Sequence, residues 1–171
     1  MRDLMIYANK AMKDLDSLGI EYAKGIKWKV NKRAQKRWGR CTATVVNGHL
    51  LYTIEINSTL LDERVPTEGL METIYHELCH SIPKGMCHTG AWLNAVTKVN
   101  RAFGTNIKRT NSTADKKIDE SVRAEYFKYH FRCTNCGKIT HKNRQSDFTR
   151  NPQFYGCTAC GSYKGWEQIT M

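Results

Sequence analysis

Thr73-Ile74-Tyr75-His76-Glu77-Leu78-Cys79-His80-Ser81, followed by Pro83-Lys84-Gly85-Met86-Cys87-His88, is the stretch on which the reading of this chain turns. Leu70, Ile74 and Leu78 recur every four residues, Pro66 and Thr67 stand ahead of them, and Pro83 and Gly85 follow. That pattern predicts a helix from about residue 68 to residue 81 that stops just after His80. Residues four apart share a helical face, so His76 and His80 reach one ion. Glu77 is adjacent to the first of them and lies beside the metal, where a carboxylate can hold a water, take its proton and later hand it to a leaving amine. A catalytic zinc keeps three protein ligands and one open position, so a third ligand must come from elsewhere. His88 is the preferred donor, because a third imidazole leaves the ion more electrophilic than a thiolate would. Cys87 and Glu72 are the alternatives, and Cys79 reads as a packing residue.

Upstream, Leu4, Ala8, Met12, Leu15 and Leu18 predict an amphipathic helix over 3–18, with Gly19 as its stop. Residues 24–40 then carry eight Lys or Arg and no acidic residue, with Trp28 and Trp38 among them. Lys32, Arg33, Lys36 and Arg37 are the expected phosphate contacts, and the tryptophans are expected to pack. Asn47-Gly48, between the β-rich runs 42–46 and 49–56, predicts a hairpin with a type I′ turn. Downstream, Trp92, Val96, Val99 and Phe103 predict a helix over 89–103 ended by Gly104. Residues 105–120 are polar and read as a linker.

The C-terminal part has few aliphatic residues and two C-x-x-C pairs, Cys133/Cys136 and Cys157/Cys160, separated by twenty residues. This spacing fits one tetrahedral zinc in a ribbon, with a glycine after each pair to allow the tight turn. Four thiolates close the shell, so the site is structural; His141 is a donor that can replace one of them. No thioredoxin-like βαβ pattern surrounds either pair, which argues against a redox role. Lys138, Lys142 and Arg144, interleaved with Phe148, Phe154 and Tyr155, are expected to track phosphates, with the aromatics either stacking on bases or covering the small metal core.

The bulk numbers bound these readings. The chain has 171 residues, enough for one modest core and a small appendage. Its 40% hydrophobic and 25% charged content is that of a globular protein. No apolar run is long enough to span a bilayer and no signal peptide is evident, so a cytoplasmic protein without membrane contact is expected. Seven cysteines, an odd count, favour metal ligation over a disulfide framework. A formal net charge of +11 favours a polyanionic partner, nucleic acid first.

Three stretches together resemble the SprT-like metalloprotease family, whose eukaryotic relatives include Spartan. Arg37-Trp38-Gly39-Arg40-Cys41, a hairpin, and then Ile56-Asn57-Ser58-Thr59-Leu60-Leu61 resemble the family's lead-in. His76 to His80 resembles its active-site helix, and His88-Thr89-Gly90-Ala91-Trp92 its third-ligand segment. The trailing cysteine pairs resemble the zinc ribbon of many members. The interval from His80 to His88 is shorter than in long-insert members, and Thr89 stands where the family has glycine. The resemblance implies an α+β fold: a small zincin-like metalloprotease domain, with helices packed on a short antiparallel sheet, over 1–115, then a linker and a four-cysteine zinc ribbon over 116–171. It implies Zn2+ at two places, one catalytic on His76, His80 and His88 and one structural on Cys133, Cys136, Cys157 and Cys160, with Glu77 as the catalytic residue. It further implies cleavage of proteins bound or crosslinked to DNA, by a monomer that is nucleoid-associated if bacterial or phage. The alternatives are a non-catalytic, zinc-dependent nucleic-acid adaptor and a YgjP-like metal-dependent hydrolase.

Overall fold

A computed structural model describes every residue of the chain except Gln35, Lys36, Asn111, Thr113 and Met171. The chain divides into two compact units, Met1–Ile118 and Asp119–Met171.

In the first unit, α1 (Leu4–Ser17) starts at Asp3, whose carboxylate accepts a hydrogen bond from the Met5 N–H at 2.8 Å. Leu4, Ala8, Ala11 and Leu15 form its buried stripe, so Ala11 takes the place expected for Met12. Three strands follow: β1 (Lys27–Asn31), β2 (Gly39–Val46) and β3 (His49–Asn57). The hairpin turns at Asn47 (φ 50°) and Gly48 (φ 78°), two positive φ values in succession, as a type I′ turn requires. The strand order is β1-β3-β2. β2 pairs with β3 antiparallel, but β1 pairs with β3 parallel, Trp28 opposite Ile54. The sheet is therefore mixed, where the sequence led one to expect antiparallel strands throughout. The reason is parity: the chain reverses between β1 and β2 and again at the hairpin, so β3 runs in the direction of β1 and inserts beside it.

Ile54 and Ile56 on β3 are fully buried, as are Leu70, Ile74 and Leu78 on α2 (Thr67–Cys79). Each such side chain contributes about 1.5–3 kcal/mol by leaving water. α2 also packs on α1 and on α3 (Ala91–Phe103). α3 begins two residues later than the pattern predicted, because Gly90 is the N-cap; it ends at Gly104 in the left-handed region. α2 is thus enclosed by core on most of its circumference, and the face bearing His76, Glu77 and His80 is itself largely shielded.

Residues 105–118 do not form the expected linker. The described residues among them pack onto the first unit: Ile107 and Ile118 are buried, a 3-10 turn spans Ala114–Lys116, and the Lys116 side chain is fully enclosed against Glu72. The polar composition reflects hydrogen bonding to α2 and α3, which composition alone cannot distinguish from solvation.

In the second unit, α4 (Glu120–Ala124) precedes a sheet of order β5-β4-β6, antiparallel throughout, made of β4 (Tyr129–Cys133), β5 (Ile139–Lys142) and β6 (Trp166–Ile169). A short α5 (Asp147–Arg150) lies between β5 and β6. The core here is Phe131, Cys133, Cys157 and Trp166, with Tyr129 and Phe148 packed against it. Among the described residues no helix is long and apolar enough to cross a membrane.

Candidate active site

The last turns of α2 place His76 and His80 on one face, and the turn that follows brings back His88. Their Nε2 atoms stand 3.3 Å (His76 to His80), 3.1 Å (His80 to His88) and 3.0 Å (His88 to His76) apart. Three ligands 2.0–2.1 Å from a tetrahedral zinc are about 3.4 Å from one another, so this triangle is close to one face of such a shell.

The protons say the same. His76 Nδ1 faces the Lys108 carbonyl at 3.0 Å, and His80 Nδ1 faces the Gly85 carbonyl at 2.9 Å. A carbonyl only accepts, so each Nδ1 carries the hydrogen and each Nε2 turns a lone pair inward. A proton on His88 can serve only one of the two lone pairs; a cation serves all three rings. Protonation is no substitute, because burial, and then the facing His80 and His88, pushes the His76 pKa down to about 3. His80 and His88 are also lowered, mainly by burial. The donor set therefore fits a zinc ion.

Trp92 forms the floor. It is fully buried, its ring centroid lies 4.7–5.6 Å from all three imidazoles, and its indole N–H donates to the His76 carbonyl at 3.2 Å. Neither alternative third ligand joins the cluster: Cys87 is exposed and Glu72 is committed to the 105–118 segment. Cys79 is buried in the core.

Glu77 is 7% exposed. Burial raises its pKa to about 7, opposed by a hydrogen bond from the Cys41 N–H and by the charges of Arg37 and Lys116. A carboxyl poised near neutrality is suited to accept and return a proton. Gly39 is the neighbour that the sequence reading did not single out. A Cβ there would lie 2.6 Å from both Cγ and Oε1 of Glu77, so only glycine leaves the carboxylate its place. The signal was present in Arg37-Trp38-Gly39-Arg40, but no spacing rule connects that strand to α2. Gly39, His76 and Glu77 line a cleft of about 220 Å³ together with Arg37, Thr73, Arg109 and Thr110.

In the second unit the four ribbon thiols lie within 4.8 Å of one another, with Cys133 Sγ 3.9 Å from Cys160 Sγ and Cys136 Sγ 3.8 Å from Cys157 Sγ. Thiolates 2.3 Å from a tetrahedral zinc are about 3.8 Å apart. The two knuckles repeat one geometry. Gly137 (φ 73°) donates to the Cys133 carbonyl at 3.0 Å, and Gly161 (φ 68°) to the Cys157 carbonyl at 2.8 Å. His141 stays outside, its Nδ1 2.9 Å from Nδ1 of His130.

The expected nucleic-acid contacts are scattered in character. Lys32, Arg33, Lys138 and Arg144 are exposed. Arg37 pairs with Glu55 at 3.3 Å and lines the cleft. Lys142 lies over the Phe148 ring, 5.5 Å from its centroid, and Lys36 is outside the described residues. Phe148 packs inward against Phe131 and Trp166, whereas Phe154 is exposed and Tyr155 only partly covered.

A sequence model of the SprT-like family matches residues 2–113. No curated protein matches the chain.

Proposed function

The chain belongs to the SprT-like family, and from that premise we propose that it is a zinc-dependent metallopeptidase that cleaves proteins bound or crosslinked to DNA. The family and the three-histidine site make the first unit a metallopeptidase-type domain; the substrate and the location of that substrate on DNA are our reading. The observation that carries the peptidase assignment is the triangle of converging Nε2 atoms, with a carboxyl whose pKa is raised to about 7 one residue along the same helix.

His76, His80 and His88 would hold the ion, which when bound would polarise a peptide carbonyl and acidify water. Glu77 would accept a proton at its carboxylate from the attacking water and return it to the departing amine. Gly39 keeps Glu77 in register and the Cys41 N–H orients its carboxylate. The four-cysteine ribbon would hold a second, structural zinc, in a unit that follows the catalytic one and begins at Asp119. Support for DNA is electrostatic: a net charge of +11, with Lys32, Arg33, Lys138 and Arg144 exposed and able to face phosphates.

The test incubates a DNA-crosslinked protein with the wild-type chain and with Glu77→Gln, each with and without added DNA. The wild type should cut, more so with DNA, and the variant should lose about 10²–10⁴-fold in rate while retaining both zinc ions. Full activity in Glu77→Gln would refute the peptidase mechanism. Cleavage by the wild type that is indifferent to DNA, with affinity for DNA that is flat in salt, would remove DNA from the proposal and leave the peptidase standing.

A further inference from the structure

We propose that Glu72 and Lys116 are positioning residues for the metal centre, acting through the 105–118 segment on the carbonyl that orients His76. The inference rests on the reading of the histidine cluster as a metal site.

Glu72 and His76 are four residues apart on α2 and so project from one face. Both grip the same segment. Glu72 Oε1 accepts a hydrogen bond from the Asn106 N–H at 2.9 Å, and Glu72 Oε2 faces the Lys116 ammonium at 3.4 Å. Between these two anchors lies Lys108, whose carbonyl receives the His76 Nδ1 hydrogen at 3.0 Å. The Lys116 side chain is fully buried and that of Glu72 nearly so, at 14% exposure, which shields their charges from competing water.

Two further features belong to the same arrangement. Asn100 on α3 holds Ile107, the residue before Lys108, at both backbone groups: its Oδ1 accepts from the Ile107 N–H at 2.9 Å, and its Nδ2 donates to the Ile107 carbonyl at 3.2 Å. Gly69, one turn before Glu72, leaves room for the returning chain, since a Cβ there would lie 3.1 Å from the Lys116 carbonyl. A buried ammonium is costly unless paired. Here the pair and the Asn106 contact tie down a segment that carries, at Lys108, the hydrogen-bond acceptor of a ligand. That acceptor fixes the His76 ring and its tautomer, and with them the direction of the Nε2 lone pair. Glu72 is therefore a support of the ligand shell and not a member of it.

The test uses the full chain loaded with Co2+ in place of Zn2+, so that the three-histidine and four-cysteine sites give different absorption spectra. Competition with a chelator then gives the affinity of each site separately. Glu72→Ala should weaken the histidine site by about 10–100-fold and leave the ribbon site unchanged. Glu72→Gln, which keeps an acceptor for Asn106, and Lys116→Met, which leaves Glu72 in place, should weaken it less. If Glu72→Ala does not fold, Glu72→Gln and Lys116→Met carry the test. Unchanged metal affinity in variants that fold would overturn the positioning role. A wild-type histidine cluster that binds no cobalt would instead sink the metal reading and this inference together.

Discussion

In the first unit three imidazoles converge at the end of a helix whose other sides are buried among Leu70, Ile74, Leu78 and Trp92. In the second, four thiols converge between two turns, and two of the four buried core residues are themselves cysteines. The histidine donors are placed by contacts with the rest of the fold: α2, the Gly85 and Lys108 carbonyls and the Trp92 ring. In the ribbon two of the donors, Cys133 and Cys157, are themselves half of the buried core. The histidine site offers three donors, with Glu77 lining the same cleft as His76, and the cysteine site offers four. On the proposed function, the first is arranged for reaction and the second for cohesion.

Chelation offers the sharpest way to break this contrast. Structural zinc contributes about 10–16 kcal/mol to the folding of small zinc modules. Stripping both metals from the full chain should therefore abolish hydrogen-exchange protection in β4, β5 and β6 while α1, α2 and β3 remain protected. Loss of protection in both units together would mean that the first also depends on its metal for folding.

Much of this contrast was legible in the sequence, for reasons that differ between the units. The ribbon was legible because its ligands are close in sequence and its glycines recur. The ligands His76 and His80 were legible because the helical period places them together. What could not be read were contacts between distant segments. The pairing of Gly39 with Glu77 joins a strand to a helix, and the grip of Glu72 on Asn106 and Lys116 joins a helix to a stretch whose composition looks like a linker. Parallel pairing of β1 with β3 was hidden for the same reason, since strand order is not a local property.

A smaller effect separates the two sites by their response to pH. Burial raises Glu77 to about 7 from an ordinary 4.5, so in the metal-free protein the neutral carboxyl is the form that suits the fold. Its contribution is fully present below about pH 4.5 and is lost as the pH rises through about 7. Glu77→Gln stays neutral throughout. The metal-free variant should therefore match the wild type near pH 4 and exceed it by about 3 kcal/mol at pH 8, from urea unfolding followed by helical circular dichroism. The titration of the histidines is common to both proteins and cancels in the difference. A gap that is constant with pH would mean that folding leaves the Glu77 pKa unshifted.

Two glycines, one in each unit, carry the contrast down to single atoms. Gly161 has φ 68° and nothing within 4 Å of where a Cβ would stand, so alanine there meets no neighbour and suffers only from its backbone conformation, at a cost of about 1–2 kcal/mol. Gly39 is in β2, paired with Ile56, and its need is for space: a Cβ would fall 2.6 Å from the Glu77 carboxylate. The strand is fixed by its ladder, so it is the side chain of Glu77 that must give way. A displacement of about 1 Å in a reacting group costs on the order of 100-fold in rate. Gly39→Ala should thus lower kcat by about that factor with both metal affinities intact, and Gly161→Ala should lower the thermal midpoint of the ribbon with kcat intact. If Gly39→Ala kept the wild-type rate, the carboxylate would have room that this geometry denies it, and the close approach of β2 to α2 would have no part in catalysis.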